Sequence, residues 1–223
     1  MARSRDISKV LSSNTTLATD AEVAASYLTT ASASTVYQTK ATAGLTLLTP
    51  ASITNTGGTA SIGTNGTVSF SSASAISLND VFSTNYENYH VVLNFNATAA
   101  QSLISLRFRV SGSDNSNNDY YRAAISKDSS LSTINNENAD PTTSYRIGTT
   151  GNNNALVSLN ISSPFQTAQT TIVNNGVGIN NTNEASWFVG GGGFGSTTSF
   201  TGFSLFPSSG TITGTVSVYG YNK

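Results

Sequence analysis

Hydrophobic and polar residues alternate along most of the chain after Thr67. Apolar side chains recur at every second position from Tyr89 to Phe95, and the segment from Ile104 to Val110 repeats this pattern. A period of two places one set of side chains in a core and the other in solvent, which is typical of half-buried β-strands. The pattern predicts strands over 68–70, 75–82, 89–95, 104–110, 120–125, 155–161, 170–173, 185–189, 200–206 and 212–221.

Clusters of Asn, Gly, Ser and Pro separate the predicted strands. They occur at 111–118, 148–154, 174–183 and 207–210. These residue types favour turns because they tolerate positive φ or preset φ. Since no helical pattern intervenes, we expect residues 67–223 to be all-β and to form an antiparallel β-sandwich of jelly-roll-like topology.

Residues 1–50 differ from the rest of the chain, because they carry no hydrophobic core of their own. Thr19 and Glu22 have the spacing of a capping box, and one or two short helices are expected in this segment. Tyr27 and Tyr37 begin two similar stretches, a weak repeat that cannot bury a continuous face without neighbouring molecules. A Ser/Thr-rich linker is the alternative interpretation.

We therefore expect a docking or oligomerisation arm over 1–50, followed by a hinge rich in Gly, Thr and Asn over 51–66. The basic residues of the arm suit pairing with an acidic surface, and a frayed basic terminus accounts for them equally. The candidate docking residues are Arg3, Arg5, Ile7, Lys9, Val10, Leu11, Tyr27, Leu28 and Tyr37.

Composition narrows the classes of function. Charged residues make up 9% of the 223 residues and the net charge is -1, whereas about 25% is usual in soluble domains. Without a basic field, nucleic acid is not an expected partner. The absence of cysteine excludes disulfides and thiolate metal sites. No segment has the apolar run of a signal peptide or of a membrane-spanning helix, so membrane insertion is not expected.

No pattern in the sequence indicates catalysis. His90 lies in a predicted strand, where a surface or interface role is favoured over that of a catalytic base. Gly190, Gly192 and Gly195 have the spacing of a dinucleotide fingerprint, but a strand is predicted after them. A bulge, a wide turn or close backbone approach between subunits near an axis is expected instead. The oxygen-rich segment Asp114–Asp119 lacks the Gly and the final Glu of a calcium loop, and a polar hairpin loop is favoured. We expect no enzymatic activity, no metal and no cofactor.

Several aromatic residues offer a candidate surface for binding glycans. Tyrosine and tryptophan rings stack on sugar rings, and Asn-rich loops supply hydrogen bonds. Core packing is the alternative interpretation for the same residues. The candidates are Tyr86, Tyr120, Tyr121 and Trp187.

Several segments of the chain resemble structural proteins of marine tailed phages, especially those infecting cyanobacteria. Residues 1–11, residues 16–19 and the Tyr-Leu-Thr to Tyr-Gln-Thr run over 27–39 are similar to the N-terminal arms of those proteins. Residues 82–89 and 214–221 resemble recurrent elements of their β-domains.

The resemblance implies a virion component that is assembled in the host cytoplasm. It implies a homotrimeric tail fibre or surface appendage, whose arm docks on tail, portal-adaptor or capsid subunits while the β-sandwich projects outward. A host surface glycan is a further candidate partner. A capsid decoration or cement protein is the first alternative, and a carbohydrate-binding module is the second.

Overall fold

The computed structural model of the protein describes residues 44–99, 102–130, 132–149, 154–179 and 183–222. The chain divides into two units after Ala43. The short helices, the tyrosine repeat and the nine candidate docking residues predicted for the arm lie outside the described residues.

The described part of the chain forms seventeen β-strands, and the longer ones such as 88–97 and 170–179 alternate buried residues with exposed or half-buried ones. Among these residues there is no helix of the length and apolarity needed to cross a membrane. The strands are β1 (Leu45–Leu48), β2 (Ser52–Thr56), β3 (Thr59–Ile62), β4 (Val68–Ala73), β5 (Ala75–Asn79), β6 (Asn88–Ala97), β7 (Leu103–Val110), β8 (Ser113–Asp114), β9 (Tyr120–Asp128), β10 (Asn135–Asn136), β11 (Ala139–Thr142), β12 (Tyr145–Thr149), β13 (Asn154–Ser162), β14 (Thr170–Ile179), β15 (Ala185–Phe194), β16 (Gly202–Pro207) and β17 (Ile212–Tyr221).

The strands form two sheets in which the pairings are antiparallel. The larger sheet has the order β10-β9-β15-β14-β13-β6-β17-β4-β3, with β1 beside β17 and β11 beside β9. The smaller sheet has the order β12-β7-β16-β5-β2, with β8 beside β7. The predicted all-β, antiparallel class is confirmed.

Aromatic side chains join the two sheets in one hydrophobic core. Phe108 of β7, in the smaller sheet, stacks on Tyr120 of β9, in the larger sheet, with ring centroids 6.1 Å apart. Phe200 stacks on Phe108 at 4.6 Å, and Phe194 meets both Tyr120 and Phe200 edge-on. Burial of a side chain of this size contributes about 1.5–3 kcal/mol. These rings therefore stabilise the packing of one sheet against the other.

The β-domain begins earlier in the chain than the sequence predicts. Strand β1 pairs with β17, and Leu45 lies opposite Tyr221. Strands β2 and β3 occupy the range 51–66, which we expected to be a hinge, and pair with β5 and β4. Their composition resembles a linker, but backbone hydrogen bonds to an existing sheet need little from side chains. Half-buried Ile53 and Ile62 supply contacts with the core.

Strand β14 continues through a segment that the sequence assigns to a turn. We expected a strand over 170–173 and a turn over 174–183, whereas the strand runs to Ile179. Asn174 is buried and its hydrogen bonds are made inside the domain, to Tyr145 and to the carbonyl oxygen of Ile147. A buried amide with partners is compatible with a strand interior. Composition alone gives no sign of such partners.

The glycine run lies within strand β15 and forms neither a bulge nor a wide turn. Gly190 and Gly193 pair in continuous register with β9 and β14. A Cβ atom on Gly190 would lie 2.5 Å from the Cβ atom of Ala124, and one on Gly193 would lie 1.9 Å from the carbonyl oxygen of Thr170. The absence of side chains therefore lets β15 pack closely between its two neighbouring strands.

Candidate functional site

The face of the larger sheet that points away from the core is the candidate functional site, and we call it the outer face. On β14 buried and exposed residues alternate without interruption, so Thr171, Val173 and Val177 lie on the outer face. The registers with β13 and β15 place outward-facing residues of all three strands side by side. Period-two alternation thus builds a continuous solvent-facing surface.

A row of residues crosses the outer face at right angles to the strands, and we call it the tyrosine row. Tyr121 and Tyr221 end the row and are 41% and 39% exposed. Five strand-to-strand steps separate them, which corresponds to about 24 Å at the usual strand spacing. In order across the sheet, the row consists of Tyr121, Gly193, Thr171, Ser162 and Asn88, and it ends at Tyr221, which follows the Gly220–Tyr89 pair and lines the same cavity as Asn88.

Two open cavities lie along the tyrosine row. The first has a volume of about 320 Å³, and Tyr121 and Gln169 contribute to its lining. The second has a volume of about 300 Å³ and is lined in part by Asn160 and Tyr221. Thr171 lines both cavities. The two cavities therefore adjoin and follow the same direction across the sheet.

Hydrogen bonds orient the amide of Asn160 in the second cavity. The Tyr221 hydroxyl donates to Oδ1 of Asn160 at 2.9 Å, and Nδ1 of His90 lies 3.0 Å from the same oxygen. The His90 ring also lies near the ring of Tyr219, with centroids 6.4 Å apart. No described residue accepts a hydrogen bond from the Asn160 amide nitrogen, which leaves two donor hydrogens for a ligand. His90 thus contributes to the position of a neighbouring amide.

The first cavity is braced by contacts around Gly195. The Gly195 N–H donates to the carbonyl oxygen of Asp119, and Gln169 donates to the Gly195 carbonyl oxygen at 2.6 Å. The Asp119 carboxylate accepts a hydrogen bond from Ser196. The Tyr121 ring lies against Gly195, where a Cβ atom would come within 2.7 Å of Cε2. One side of the exposed ring is therefore fixed by packing on backbone.

A second feature of the outer face is an apolar stripe away from the tyrosine row. Leu156 and Val177 are paired neighbours that are 45% and 47% exposed. Trp187 lies on the other side of Val177 and opposite Lys127. A contiguous exposed apolar surface is characteristic of an interaction site. The apolar stripe consists of Ile125, Leu156, Val177, Ile179, Trp187 and Val189.

Two of the four aromatic residues predicted to bind glycans pack against other side chains of the protein. Tyr120 is fully buried, accepts a hydrogen bond from the N–H of Phe108 and donates one to the carbonyl oxygen of Asn115. It cannot present its ring to a surface ligand, so the core-packing interpretation holds for this residue. Tyr86 is half-buried and packs edge-on against Tyr89, with ring centroids 6.1 Å apart.

The other two predicted aromatics lie on the outer face but do not form one cluster. Tyr121 ends the tyrosine row, whereas Trp187 belongs to the apolar stripe. Tyr121 pairs with Gly193 and Trp187 pairs with Lys127, so the two aromatics lie near opposite ends of β9. Tyr221 and Asn160 were not among the residues predicted to bind glycans. The alternation of β17 placed Tyr221 opposite the core-facing residues, which is the signal that indicates its exposure.

The carboxylates of the predicted polar loop bond to different parts of the protein. Asp114 forms an ion pair with Arg109 and accepts a hydrogen bond from Ser204. Asp119 instead accepts from Ser196, near the first cavity. The described residues contain no cluster of three or more His, Cys, Asp or Glu side chains suited to a metal ion. These contacts are those expected of a polar loop anchored to the sheets.

Arg109 is buried beneath this loop on the smaller sheet. Its Nε donates to Oδ1 of Asn79 at 2.9 Å, and Nη1 donates to Ser77 at 3.1 Å and to Ser204 at 2.9 Å. Nη2 donates to the carbonyl oxygen of Gly112. The alternation over 104–110 predicts that Arg109 faces solvent, on the side of the strand opposite the core. The loop covers that face, so the guanidinium acts as a structural anchor.

A second buried ionic group lies near β12. Arg146 pairs with Glu137, and its guanidinium lies 5.3 Å from the centre of the Phe188 ring. Burial lowers the pKa of Arg122, and the nearby charge of Arg146 lowers it further. Burial also lowers the pKa of Arg146, against the opposing effect of Glu137. Both guanidinium groups remain cationic near neutral pH because an arginine pKa is ordinarily far above it.

The fold and site define an all-β protein of two antiparallel sheets, with the tyrosine row and the apolar stripe on the outer face of the larger sheet. No protein-family model and no curated protein matches the chain.

Solved structures give weak likenesses. One is the crystal structure of a substituted form of the family 7 alginate lyase A1-II' in complex with substrate, with 8% identity and a TM-score of 0.26, covering 83% of this chain and 96% of that one. Another is the catalytic domain of an endo-1,3-beta-glucanase (laminarinase) from Thermotoga petrophila, with 7% identity and a TM-score of 0.20, covering 74% of this chain and 75% of that one. At these scores neither likeness supports a conclusion about this protein.

Proposed function

We propose that this chain is a non-enzymatic structural component of a tailed-phage virion, a homotrimeric fibre or surface appendage. Its N-terminal residues dock on other virion proteins, and its β-domain, a sandwich of the jelly-roll kind, projects from the particle. The resemblance of both ends of the chain to structural proteins of marine tailed phages supports this role. The low charge also suits a part that works in an assembly.

The observation that carries the proposal is the apolar stripe. Leu156, Val177 and Trp187 lie side by side on three adjacent strands. Leu156 and Val177 are exposed in the single chain, and Trp187 is half-buried. Covering such a surface is favourable by roughly 25 cal/mol per Å² of apolar area removed from water. Lys127 lies beside the stripe, but the stripe residues themselves are uncharged, so the partner surface must be largely apolar and weakly charged. Another copy of this weakly charged chain meets that requirement.

The experiment that tests this role measures the oligomeric state of the purified full chain by light scattering coupled to gel filtration. We expect a trimer, and we expect Leu156→Ser combined with Val177→Ser to shift it toward the monomer. Ser158→Ala is the control and should leave the trimer intact, because Ser158 lies on the same face between the tyrosine row and Leu156 of the apolar stripe. A wild-type chain that stays monomeric at high concentration would contradict the proposed assembly.

The alternative within the virion is a capsid decoration protein. Copy number in purified particles separates the two roles, because an appendage is present in a small multiple of three and a decoration protein at numbers close to those of the capsid subunits. Deletion of residues 1–43 should abolish attachment to the particle and leave the β-domain folded. Absence of the chain from purified virions would overturn both roles.

A further inference from the structure

The tyrosine row has the form of an extended trough. Gly193 has no side chain, and Thr171 and Ser162 have short ones, whereas an exposed tyrosine stands at each end. The two adjoining cavities follow the row, with volumes of about 320 and 300 Å³. A ligand that contacts both tyrosines must therefore be long, spanning about 24 Å across the strands.

The described lining of the trough combines apolar side chains with neutral polar groups and is almost uncharged. Among the described residues that line the two cavities none is Lys, Arg or His, and Asp119 is the single acidic one. Anionic ligands such as phosphates or uronates are normally held by arginine or lysine. The lining therefore disfavours an anionic ligand and suits one with many neutral hydroxyl groups.

The polar groups of the trough are arranged to bind hydroxyls. The Asn160 amide is oriented by the Tyr221 hydroxyl and by His90, which leaves its nitrogen as a donor. Thr171 and Asn88 are exposed beside it. Side-chain amides and hydroxyls both donate and accept, as vicinal sugar hydroxyls do. Groups that are fixed before binding lose less entropy when a ligand arrives.

The two tyrosines provide the apolar part of the recognition. An aromatic ring that is exposed on one side and packed on the other offers a rigid surface for the C–H face of a sugar. Tyr121 has this arrangement because Gly195 lies against its ring. Tyr221 is held by its hydrogen bond to Asn160. The row thus has aromatic rings at its ends for the apolar faces of sugars. Between them it has amide and hydroxyl groups for the sugar hydroxyls.

We propose that the tyrosine row binds a neutral oligosaccharide, with sugar rings stacked on Tyr121 and Tyr221 and hydroxyls bound by Asn160, Thr171 and Asn88. The site lies apart from the apolar stripe on the same sheet, so glycan binding and self-assembly involve different residues. This binding does not depend on the proposed virion role.

The test uses the full chain on an array of neutral β-glucans, mannans and xylans together with anionic alginate and sulfated glycans. Affinity for the best neutral ligand is then measured by calorimetry with its trisaccharide and its hexasaccharide. We expect retention by neutral glycans and tighter binding of the hexasaccharide, because the longer ligand reaches more of the row. Failure of the wild-type chain to bind any glycan, or binding restricted to anionic glycans, would overturn the proposal.

Substitutions of the two tyrosines test whether the glycan binds at the tyrosine row. Tyr121→Ala and Tyr221→Ala should each weaken binding by about tenfold or more, as is usual for an aromatic hot-spot residue. Tyr221→Phe keeps the ring and should weaken binding less, and it also serves as the check if Tyr221→Ala is poorly folded. Leu156→Ser, exposed on the same face, should keep wild-type affinity while affecting assembly. Unchanged affinity in both alanine variants would refute the site even if the chain binds glycans.

Discussion

The hydroxyl of Tyr145 donates a hydrogen bond of 2.9 Å to Oδ1 of Asn174, and the Asn174 amide donates one of 3.0 Å to the carbonyl oxygen of Ile147. Tyr145 lies on β12 of the smaller sheet and Asn174 on β14 of the larger one. A buried side chain of β14 is thus joined to two residues of β12. At this position hydrogen bonds connect the two sheets, whereas elsewhere aromatic rings do so.

Asn174→Ala should destabilise the β-domain by about 2–4 kcal/mol, since it leaves two buried polar groups without partners and opens a small cavity. The free energy of unfolding is measured by urea denaturation. Asn175→Ala is the matched control, because Asn175 is exposed on the outer face, and it should change stability by less than about 0.5 kcal/mol. Equal effects of the two substitutions would contradict the assigned role.

Stability should fall in alkaline solution. Burial raises the pKa of Tyr145 and of Tyr120 above the ordinary value for tyrosine, which is near 10. Above about pH 10 the unfolded chain releases these protons while the folded chain retains them, so the stabilisation present below that pH is lost as pH rises toward the folded pKa values.

Tyr145→Phe isolates one of these groups. The variant should lose about 1 kcal/mol at pH 7, where the hydrogen bond to Asn174 is missing, and its stability should then decline less steeply with pH than that of the wild type. Urea denaturation from neutral to strongly alkaline pH, as far as folding remains reversible, gives both slopes. Identical slopes would show that Tyr145 titrates alike in the folded and unfolded chains.

Gly193→Ala should be costly, although Gly191→Ala two residues away should be tolerated. A Cβ atom on Gly193 would lie 1.9 Å from the carbonyl oxygen of Thr170, and its φ of 154° is one that other residues rarely adopt. On Gly191 the nearest atom is the Ile172 carbonyl oxygen at an ordinary 3.6 Å. We expect Gly193→Ala to lower the free energy of unfolding by at least about 1–3 kcal/mol. Thermal denaturation of the pair provides the comparison, and equal melting temperatures would contradict the close packing of β15.

Arg109→Met should loosen the loop that covers the smaller sheet. The substitution removes the ionic partner of Asp114 and leaves Oδ1 of Asn79 without its donor, whereas Ser77 keeps its hydrogen bond with Ser204. We expect the free energy of unfolding to fall by about 1–3 kcal/mol. Limited proteolysis within residues 111–118 should become faster. Arg107→Met on the same strand is the control, since Arg107 is less buried than Arg109. Unchanged cleavage in the Arg109 variant would show that the loop is held by its backbone alone.

The extent to which the sequence predicted the fold differs from strand to strand. The period of two in Tyr89–Phe95 and Ile104–Val110 predicted β6 and β7 and their core faces, because burial on one side of a sheet requires that alternation. It did not predict β2 or β3, whose residues look like a linker and are held by backbone pairing with β5 and β4. It also missed the end of β14, since Asn174 needs partners from a distant strand.

The candidate site was predictable only in part. Alternation placed Tyr221 on the side of β17 that faces away from the core, and Tyr121 was named as a glycan candidate. Tyr120 is adjacent in sequence and equally aromatic, yet it is buried, since neighbouring residues of a strand point to opposite faces.

The sequence by itself determined the all-β class, the near absence of charge and the inward or outward face of each strongly alternating strand, because these are local properties of composition and period. Only the tertiary structure decided that Tyr121 and Tyr221, a hundred residues apart in the chain, end one row on the same sheet surface. Strand order and register are set by the packing of distant segments against one core. The local pattern of any single strand does not contain that information.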